Sequence, residues 1–296
     1  MQRFVLLSGL LLVMLGCEKK IDFNLKDADQ LLTVDASIEN GQDPVVILTK
    51  SLNYFSKVSA DVIGNSLVKD AEVYISTGNS THQLRRYDII VRGTTIPFSY
   101  YSSDPANPLT IIKGELGKQY QLRIVWKQKE YKASTNIPQV RKTIDSIWWV
   151  KAPNTPDTST KVVVRATVSD PQPFGDYARY FTRVNTGPFY PGFNSVFDDA
   201  FVNGTTYTVD VDRGIDRNVD LDFDEYGFFK KGDTVTVKFS NIDKATFDFW
   251  RTVEFSYQSI GNPFSSPTKI LGNVSNGALG YFGGYGNQFT TVIIPR

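Results

Sequence analysis

The chain has 296 residues, of which 41% are hydrophobic and 21% charged, and its mean hydropathy is −0.23. These values exclude a disordered chain and a polytopic membrane protein, and the length suits two ordinary domains. One Cys and one His exclude a disulfide framework and a Cys/His zinc site. Residues 17–296 carry 31 basic and 31 acidic side chains, so charge gives no case for a nucleic-acid partner.

The amino terminus has the pattern of a lipoprotein signal peptide over residues 1–16. Arg3 gives a positive start, and residues 4–15 form a nearly continuous apolar run that ends just before Cys17. Because a bilayer-spanning helix needs about 20 apolar residues, this shorter run favours a cleaved signal. The residues before the sole Cys resemble a lipobox, which predicts lipidation of Cys17 and a tether over residues 17–30. A plain signal peptide with a chance Cys is the alternative.

The residues after Cys17 bear on the compartment. A Glu rather than an Asp follows the cysteine, which by resemblance to enterobacterial sorting favours the outer membrane. Lys19 and Lys20 interrupt the acidic run that is typical of surface export, so the periplasmic and cell-surface faces both stay open. Acyl chains on Cys17 would hold the protein at a membrane even if the rest of the chain is water-soluble.

The segment 31–138 is predicted to form an immunoglobulin-like β-sandwich. Short runs with alternating apolar residues recur along it, and no helical period separates them. The candidate strands are residues 32–38, 45–49, 71–77, 82–87, 119–126 and 131–136. Residues 54–69 and 93–108 are rich in Ser, Gly, Pro and Asn, which predicts two long loops.

The segment 143–296 is predicted to form a second β domain with one amphipathic helix near residues 242–260. Its candidate strands are residues 144–150, 161–168, 177–184, 205–212, 219–223, 233–240 and 290–294. Ser240 with Asp243 suggests a capping box at the start of the helix, and Gly261 a stop at its end. The sequence leaves open whether this domain is a sandwich or a closed barrel. The overall expectation is an all-β, mainly antiparallel protein.

Several segments resemble a family of Bacteroidota lipoproteins catalogued as domain of unknown function 4249. The segments that carry the resemblance are residues 17–22, 44–50, 196–204, 261–266 and 276–282. The resemblance implies an outer-membrane lipoprotein that is often encoded beside TonB-dependent transporters. It implies no established activity, so it informs the location of the protein more than its task.

An acid-rich segment, residues 210–225, is the first candidate site. Asp210, Asp212, Asp220 and Asp222 offer hard oxygen ligands that suit calcium. Apolar residues alternate with these acids, which is also the pattern of a half-exposed strand pair that binds no ion. The second interpretation is favoured, and no metal or other cofactor is predicted.

Aromatic residues form the second candidate site. Phe189, Tyr190 and Phe193 lie in an apparent loop, where they are placed to stack on a glycan or peptide or to contact a partner protein. A loop that folds over its own domain is the alternative. Trp148 and Trp149 are adjacent on a predicted strand and therefore face opposite sides, so Trp149 is a further binding candidate. Glycines among aromatics between residues 280 and 286 are interpreted as permitting close turns.

These observations favour a non-enzymatic lipoprotein anchored in the outer membrane through Cys17. The expected task is to bind a TonB-dependent transporter or to capture a glycan or peptide ligand for it. A structural or assembly component of the cell envelope is the alternative. A third hypothesis is a hydrolase that uses two carboxylates, but no Asp or Glu stands inside an apolar run where burial would raise its pKa.

Overall fold

A computed structural model describes residues 30–52, 59–90, 96–108, 111–222, 224–262, 266 and 268–296. The predicted lipidation site Cys17 lies outside these ranges. Within them the chain forms sixteen strands and two helices. In chain order these are β1 Leu32–Glu39, β2 Val45–Lys50, α1 Ala60–Ser66, β3 Glu72–Thr77, β4 Ser80–Gln83, β5 Arg85–Ile90, β6 Pro97–Ser102, β7 Gln119–Trp126, β8 Lys129–Asn136, β9 Thr143–Lys151, β10 Lys161–Ser169, β11 Tyr177–Val184, β12 Tyr190–Phe197, β13 Thr206–Val211, β14 Phe229–Lys230, β15 Thr234–Ile242, α2 Lys244–Gln258 and β16 Leu279–Ile293.

The strands form one large sheet and two small ones. The large sheet has eight strands in the order β12-β11-β15-β16-β1-β2-β6-β5, and the small sheets contain β4-β3-β7-β8 and β13-β10-β14 with β9 beside β10. Neighbours in these sheets are antiparallel except β1 and β16, which run parallel from Thr33↔Leu279 to Glu39↔Tyr285. The predicted all-β, mainly antiparallel sandwich class is confirmed.

Two hydrophobic clusters fill the space between the sheets. The first consists of buried residues between Leu32 and Ile137 together with Phe282, and the second of buried residues between Ile144 and Phe239 together with Ile294. Strand β16 contributes Phe282 to the first cluster, and its Val292 packs against the second. Most residues of the first cluster precede the predicted division between residues 138 and 143, and most residues of the second follow it. The large sheet contains strands from both sides of this division, so two separate domains stay a prediction.

The second half is a sandwich in the described part of the chain. Its first strand, β9, pairs along its length with β10, and its last, β16, pairs with β15 and β1. The side-chain amide of Gln288 links β16 to β9, because it accepts from Ile144 N–H and donates to Ile144 C=O, both at 2.9 Å. A side chain thus joins the two sheets at a place where a closed barrel would need backbone pairing.

Two predicted loops contain regular structure, and one predicted strand is divided. Helix α1 lies within residues 54–69, where Ser59 Oγ accepts from Val62 N–H at 3.3 Å, and β6 lies within residues 93–108. The predicted strand 82–87 is split at Leu84, whose side chain is buried. Strand β4 pairs with β3 while β5 pairs with β6, so the chain crosses from one sheet to the other at this residue.

Helix α2 occupies residues 244–258, within the predicted helix, but begins differently from the prediction. Ser240 belongs to β15, so the predicted capping box does not form. Asp243 is the N-cap, and its Oδ1 accepts from Thr246 N–H at 2.7 Å. Among the described residues no helix combines the length and the apolar character needed to cross a bilayer.

The glycine-rich segment near residue 280 is part of strand β16, and the interpretation as close turns is wrong. A Cβ on Gly284 would clash with the backbone oxygen of Asn136, and one on Gly286 would lie 2.5 Å from Pro138 O. Glycine at these positions lets the chain that links the two halves lie directly on the sheet.

Candidate ligand-binding site

The aromatic segment 189–194 is largely the beginning of β12, so the predicted loop is wrong. Strand β12 is at one edge of the large sheet. Proline has no backbone N–H to donate, and an edge strand tolerates Pro191 because no further strand pairs with its outer side. The centroid of the Phe189 ring lies 5.9 Å from the centroid of the Phe289 ring. The guanidinium of Arg183 lies over the Phe189 ring, with its Cζ 4.7 Å from the ring centroid. Phe189 therefore packs on the outer face of its own sheet.

The acid-rich segment folds against this edge strand and joins the two predicted sites. The hydroxyl of Tyr190 donates to Asp216 Oδ2 at 3.1 Å, and that of Tyr226 donates to Asp212 Oδ2 at 3.0 Å. The ring of Phe193 meets the ring of Tyr226 edge-on with centroids 5.8 Å apart. The sequence identified these residues in two separate motifs, and the fold brings them to one place.

A cleft of about 390 Å³ opens where the two segments meet. Its polar lining includes Tyr190, Arg213, Asp216, Glu225 and Tyr226. Its volume lies within the range of about 300 to 1,000 Å³ that is usual for small-molecule sites. The lining offers one exposed guanidinium, ionisable carboxyls and two phenols, which suits hydrogen bonding to hydroxyl, amide or carboxylate groups.

The electrostatics of the cleft keep its phenols neutral and one of its carboxyls ionised. Burial raises the pKa of Tyr190, and the hydrogen bond to Asp216 raises it further. The backbone and side-chain amides of Asn218 donate to Asp216 and hold its carboxyl pKa below the usual value. At neutral pH the cleft therefore contains a neutral phenol that donates a hydrogen bond to an ionised carboxylate.

A second cavity of about 310 Å³ lies between the two sheets of the second half. Its apolar wall includes Ile144, Ala166, Val168, Val211, Val237 and Phe239. Lys142, Tyr180, Tyr207 and Asp212 add polar groups to this lining. Burial raises the pKa of Asp212 and also that of Asp35 in β1, although the sequence indicated no acid inside an apolar run where burial would have this effect. Asp212 accepts the Tyr226 hydrogen bond beside the cleft and also lines this cavity.

Three carboxylates gather near Lys142, which lines this cavity. Oxygens of Asp170, Asp176 and Asp199 lie within 4.8 Å of one another, which is the spacing of a cation site. Lys142 Nζ lies 2.8 Å from Asp170 Oδ2, and the two side chains are 1% and 0% exposed. Asp199 Oδ2 accepts from the backbone N–H of Gly175 at 2.6 Å and of Asp176 at 3.0 Å. The chain thus supplies its own cation, and the group ties two loops together.

The four aspartates considered for calcium do not form a comparable group among the described residues. Asp210 pairs with Arg165 at 2.8 Å, Asp222 Oδ1 accepts from Asp224 N–H at 3.0 Å, and Asp220 is exposed. Asp212 accepts the hydrogen bond from the Tyr226 hydroxyl. Strand β13 contains Asp210 and ends at Val211. The described residues from 212 to 222 form turns and irregular structure, so the second strand of the predicted pair, residues 219–223, is absent from the part of it that the structure describes.

The remaining aromatic candidate is separated from the cleft. Trp149 lies in β9, is half-buried, and packs against the second hydrophobic cluster. Trp148 faces the opposite side of the same strand and is also half-buried. Of the four binding candidates from the sequence, Tyr190 lines the cleft, Phe193 supports it through Tyr226, and Phe189 and Trp149 lie elsewhere.

The sequence did not indicate a buried charged network that fixes the edge strand to α2. Both oxygens of Glu254 accept hydrogen bonds from Ser195, one from its hydroxyl at 2.5 Å and one from its backbone N–H at 3.0 Å. Arg179 Nε donates to the same hydroxyl at 3.0 Å, and its guanidinium lies 3.5 Å from the Trp250 ring centroid. The acid Glu254 on the predicted amphipathic helix was the available signal. The network holds β12, and with it one wall of the cleft, in a fixed position.

Comparison with known proteins gives one match. The profile of a family described as "Domain of unknown function (DUF4249)" matches residues 18–290. No curated protein and no solved structure matches the chain.

Proposed function

This chain belongs to the DUF4249 family, and on that premise we propose that it is a non-enzymatic accessory lipoprotein of the outer membrane. Its task is to capture a ligand for a TonB-dependent transporter or to bind that transporter. The signal-like amino terminus and Cys17 support the anchor, and the resemblance to Bacteroidota lipoproteins supports the neighbouring transporter. The cleft supports recognition.

The cleft between β12 and the acid-rich segment is the observation that carries this proposal. It places the phenols of Tyr190 and Tyr226 beside the Arg213 guanidinium, on a sheet edge that Glu254 holds in position. Aromatic faces with hydrogen-bonding groups at their rims recognise sugars and peptides, since they offer both an apolar surface and fixed polar contacts. A glycan or a short peptide is therefore the proposed ligand class.

Thermal-shift screening of glycans and peptides, followed by calorimetry, tests the ligand. We expect a bound ligand to lose about tenfold to a hundredfold in affinity in Arg213→Ala, because a hydrogen bond to a charged group contributes about 1.5 to 3 kcal/mol. Arg165→Ala is the matched control, since Arg165 is an exposed arginine paired with Asp210 outside the described cleft lining. Affinity that Arg213→Ala leaves unchanged would refute the cleft, and a broad screen without any ligand would favour the structural alternative.

Fractionation of cells tests the anchor separately. We expect the chain to sediment with outer membranes, and Cys17→Ser to move it to the soluble fraction, because the acyl chains on this thiol are the proposed attachment. Intact-mass measurement of the membrane-bound product should show the acyl groups. An unmodified Cys17 on a soluble product would contradict the proposed location.

A further inference from the structure

The end of the molecule at which the described chain begins has a depression of about 510 Å³. Gln30 and Leu31 line one side of it, Lys127 and Lys129 another, and Asn276 with its neighbouring glycine completes it. The side-chain amide of Asn276 donates to Glu130 C=O at 3.1 Å. The chain start, the β7–β8 turn and the segment before β16 are thus held together around one concave surface.

The β7–β8 turn presents two lysines at this surface. Lys127 and Gln128 both have positive φ, at 48° and 61°, as in the tight two-residue turns of β-hairpins. Lys127 Nζ lies 4.6 Å from the Trp126 ring centroid, so its stem lies along the ring while the residue stays exposed. Lys129, on the other side of the turn, is also exposed.

The nearest acid in this hairpin does not neutralise these two lysines. Glu130 pairs with Lys132 at 2.5 Å and with Arg123 at 3.5 Å. These contacts hold the pKa of the Glu130 carboxyl below its usual value, with the Lys132 hydrogen bond as the largest cause. The turn therefore presents a net positive charge.

Exposed leucines surround the same end. Leu31 and Leu52 are each 41% exposed and Leu279 is 46% exposed. Leu31 and Leu52 are neighbours, because Ser51 N–H donates to Leu31 C=O at 2.8 Å, and Leu279 is paired with Thr33 of β1. Lysines together with exposed aliphatic side chains are the composition of a surface that contacts the interface of an anionic membrane.

We propose that this end of the molecule is seated on an anionic lipid surface, with Lys127 and Lys129 contacting lipid phosphates. The inference rests on the proposed anchoring at Cys17 and specifies how the anchored protein is oriented. Residues 17–29 can span at most about 45 Å, so an anchor at Cys17 keeps the described chain start near the membrane. The cleft-bearing half then points away, since β16 runs from this end, opposite Thr33, to the other end, opposite Thr234.

Vesicle co-sedimentation of residues 17–296 carrying Cys17→Ser tests the proposed lipid contact in the absence of any acyl chain. We expect binding to vesicles that contain 30% phosphatidylglycerol and much weaker binding to pure phosphatidylcholine. Lys127→Ala and Lys129→Ala should each weaken binding to the phosphatidylglycerol vesicles by about fivefold, and the double variant should weaken it by about 25-fold. Raising the salt to 0.5 M should also weaken it, because the attraction is electrostatic.

Lys151→Ala with Lys231→Ala is the matched control, because both lysines are exposed at the far end of the molecule. This pair should leave vesicle binding unchanged, and equal thermal midpoints would show that all variants are folded. Equal binding to the two vesicle types, no binding to either, or an equal loss in the control pair would overturn the proposal. Because the tested chain lacks the acylated thiol, failure of lipidation and failure of the lysine contact are measured in different experiments.

Discussion

The ion pair between Lys142 and Asp170 is the most deeply buried charged contact among the described residues. Its side chains are 1% and 0% exposed, and Asp176 and Asp199 lie close to it. Burying two charges is costly, and the pair is stable only while both partners are present. The Lys142 ammonium is therefore best understood as the internal counterion of an acidic group that ties the loops before β11 and after β12.

Removing the lysine alone should strongly destabilise the fold. We expect Lys142→Met to lower the free energy of unfolding by about 3 to 5 kcal/mol, because it leaves a buried carboxylate without its counterion. Adding Asp170→Asn should restore much of the loss. Urea denaturation measures both. Lys151→Met is the control and should change stability by less than about 1 kcal/mol, since Lys151 pairs with Asp157 at the surface. A single Lys142→Met variant as stable as this control would refute the role.

The carboxyl of Asp212 should make stability depend on pH. Burial raises its pKa in the folded chain, so the folded state binds this proton more tightly than the unfolded state does. Stability from this group is then present at low pH and declines as pH rises from the ordinary Asp value of about 3.9 through the raised value. Asp212→Asn should remove that decline and stabilise the protein at pH 7, since an amide oxygen still accepts from Tyr226.

Urea denaturation between pH 4 and pH 7 measures this effect. The comparison should use Asp157→Asn, because Asp157 is exposed and its replacement should follow the unsubstituted profile. An Asp212→Asn profile parallel to that of the unsubstituted chain would contradict the interpretation.

At the scale of single elements, local patterns predicted most strands because their apolar residues alternate. Strand β7 was predicted with its observed bounds, since one face of it is buried along its whole length. The helix was predicted near its true position, but its N-cap was not, because Ser240 and Asp243 both satisfy the local rule. Only the pairing of β15 with β11 and β16, which extends the strand through Ile242, decides between them.

Strand β12 escaped prediction for a related reason. Its sequence contains Pro191 and Gly192, which locally indicate a loop. The structure places this strand at a sheet edge. Glycine fits at position 192 because the hydroxyl of Tyr180 occupies the space that a Cβ would take. The cleft was therefore only partly predictable. Its aromatic and acidic residues were identified, but their juxtaposition depends on an edge strand that local rules do not recognise.

The glycines of β16 give a prediction for one element. Gly284→Ala should lower the free energy of unfolding by about 1 to 3 kcal/mol or more, because its Cβ would overlap backbone that cannot move away. Gly41→Ala is the comparison, since its φ is 74° and no atom lies within 4 Å of the added carbon. That variant should lose only about 1 to 2 kcal/mol, from backbone strain alone. If Gly284→Ala were the more stable of the two by thermal denaturation, the close approach would be refuted.

For the whole molecule, the decisive feature is a pairing between distant parts of the sequence. Strand β1 pairs with β16 about 246 positions later, and Phe282 of β16 fills the first hydrophobic cluster. No local pattern specifies such a partner. The sequence showed two runs of strands and so predicted two domains, whereas the large sheet continues through both.

A fragment tests the dependence of the first half on β16. Residues 30–142 expressed alone should lack a cooperative unfolding transition, because β1 loses its parallel neighbour and Phe282, which is fully buried, is missing from the core. Circular dichroism during thermal denaturation, with the full chain as reference, measures this. A cooperative transition in the fragment would support independent domains divided near residue 138.

We propose that this protein recognises partners at the outer membrane for a TonB-dependent transporter. Affinity purification of the full-length chain from detergent-solubilised outer membranes, with partners identified by mass spectrometry, tests it most directly. We expect a TonB-dependent transporter to co-purify in near-stoichiometric amount. Recovery of other envelope proteins without any transporter would contradict it and favour a structural or assembly role.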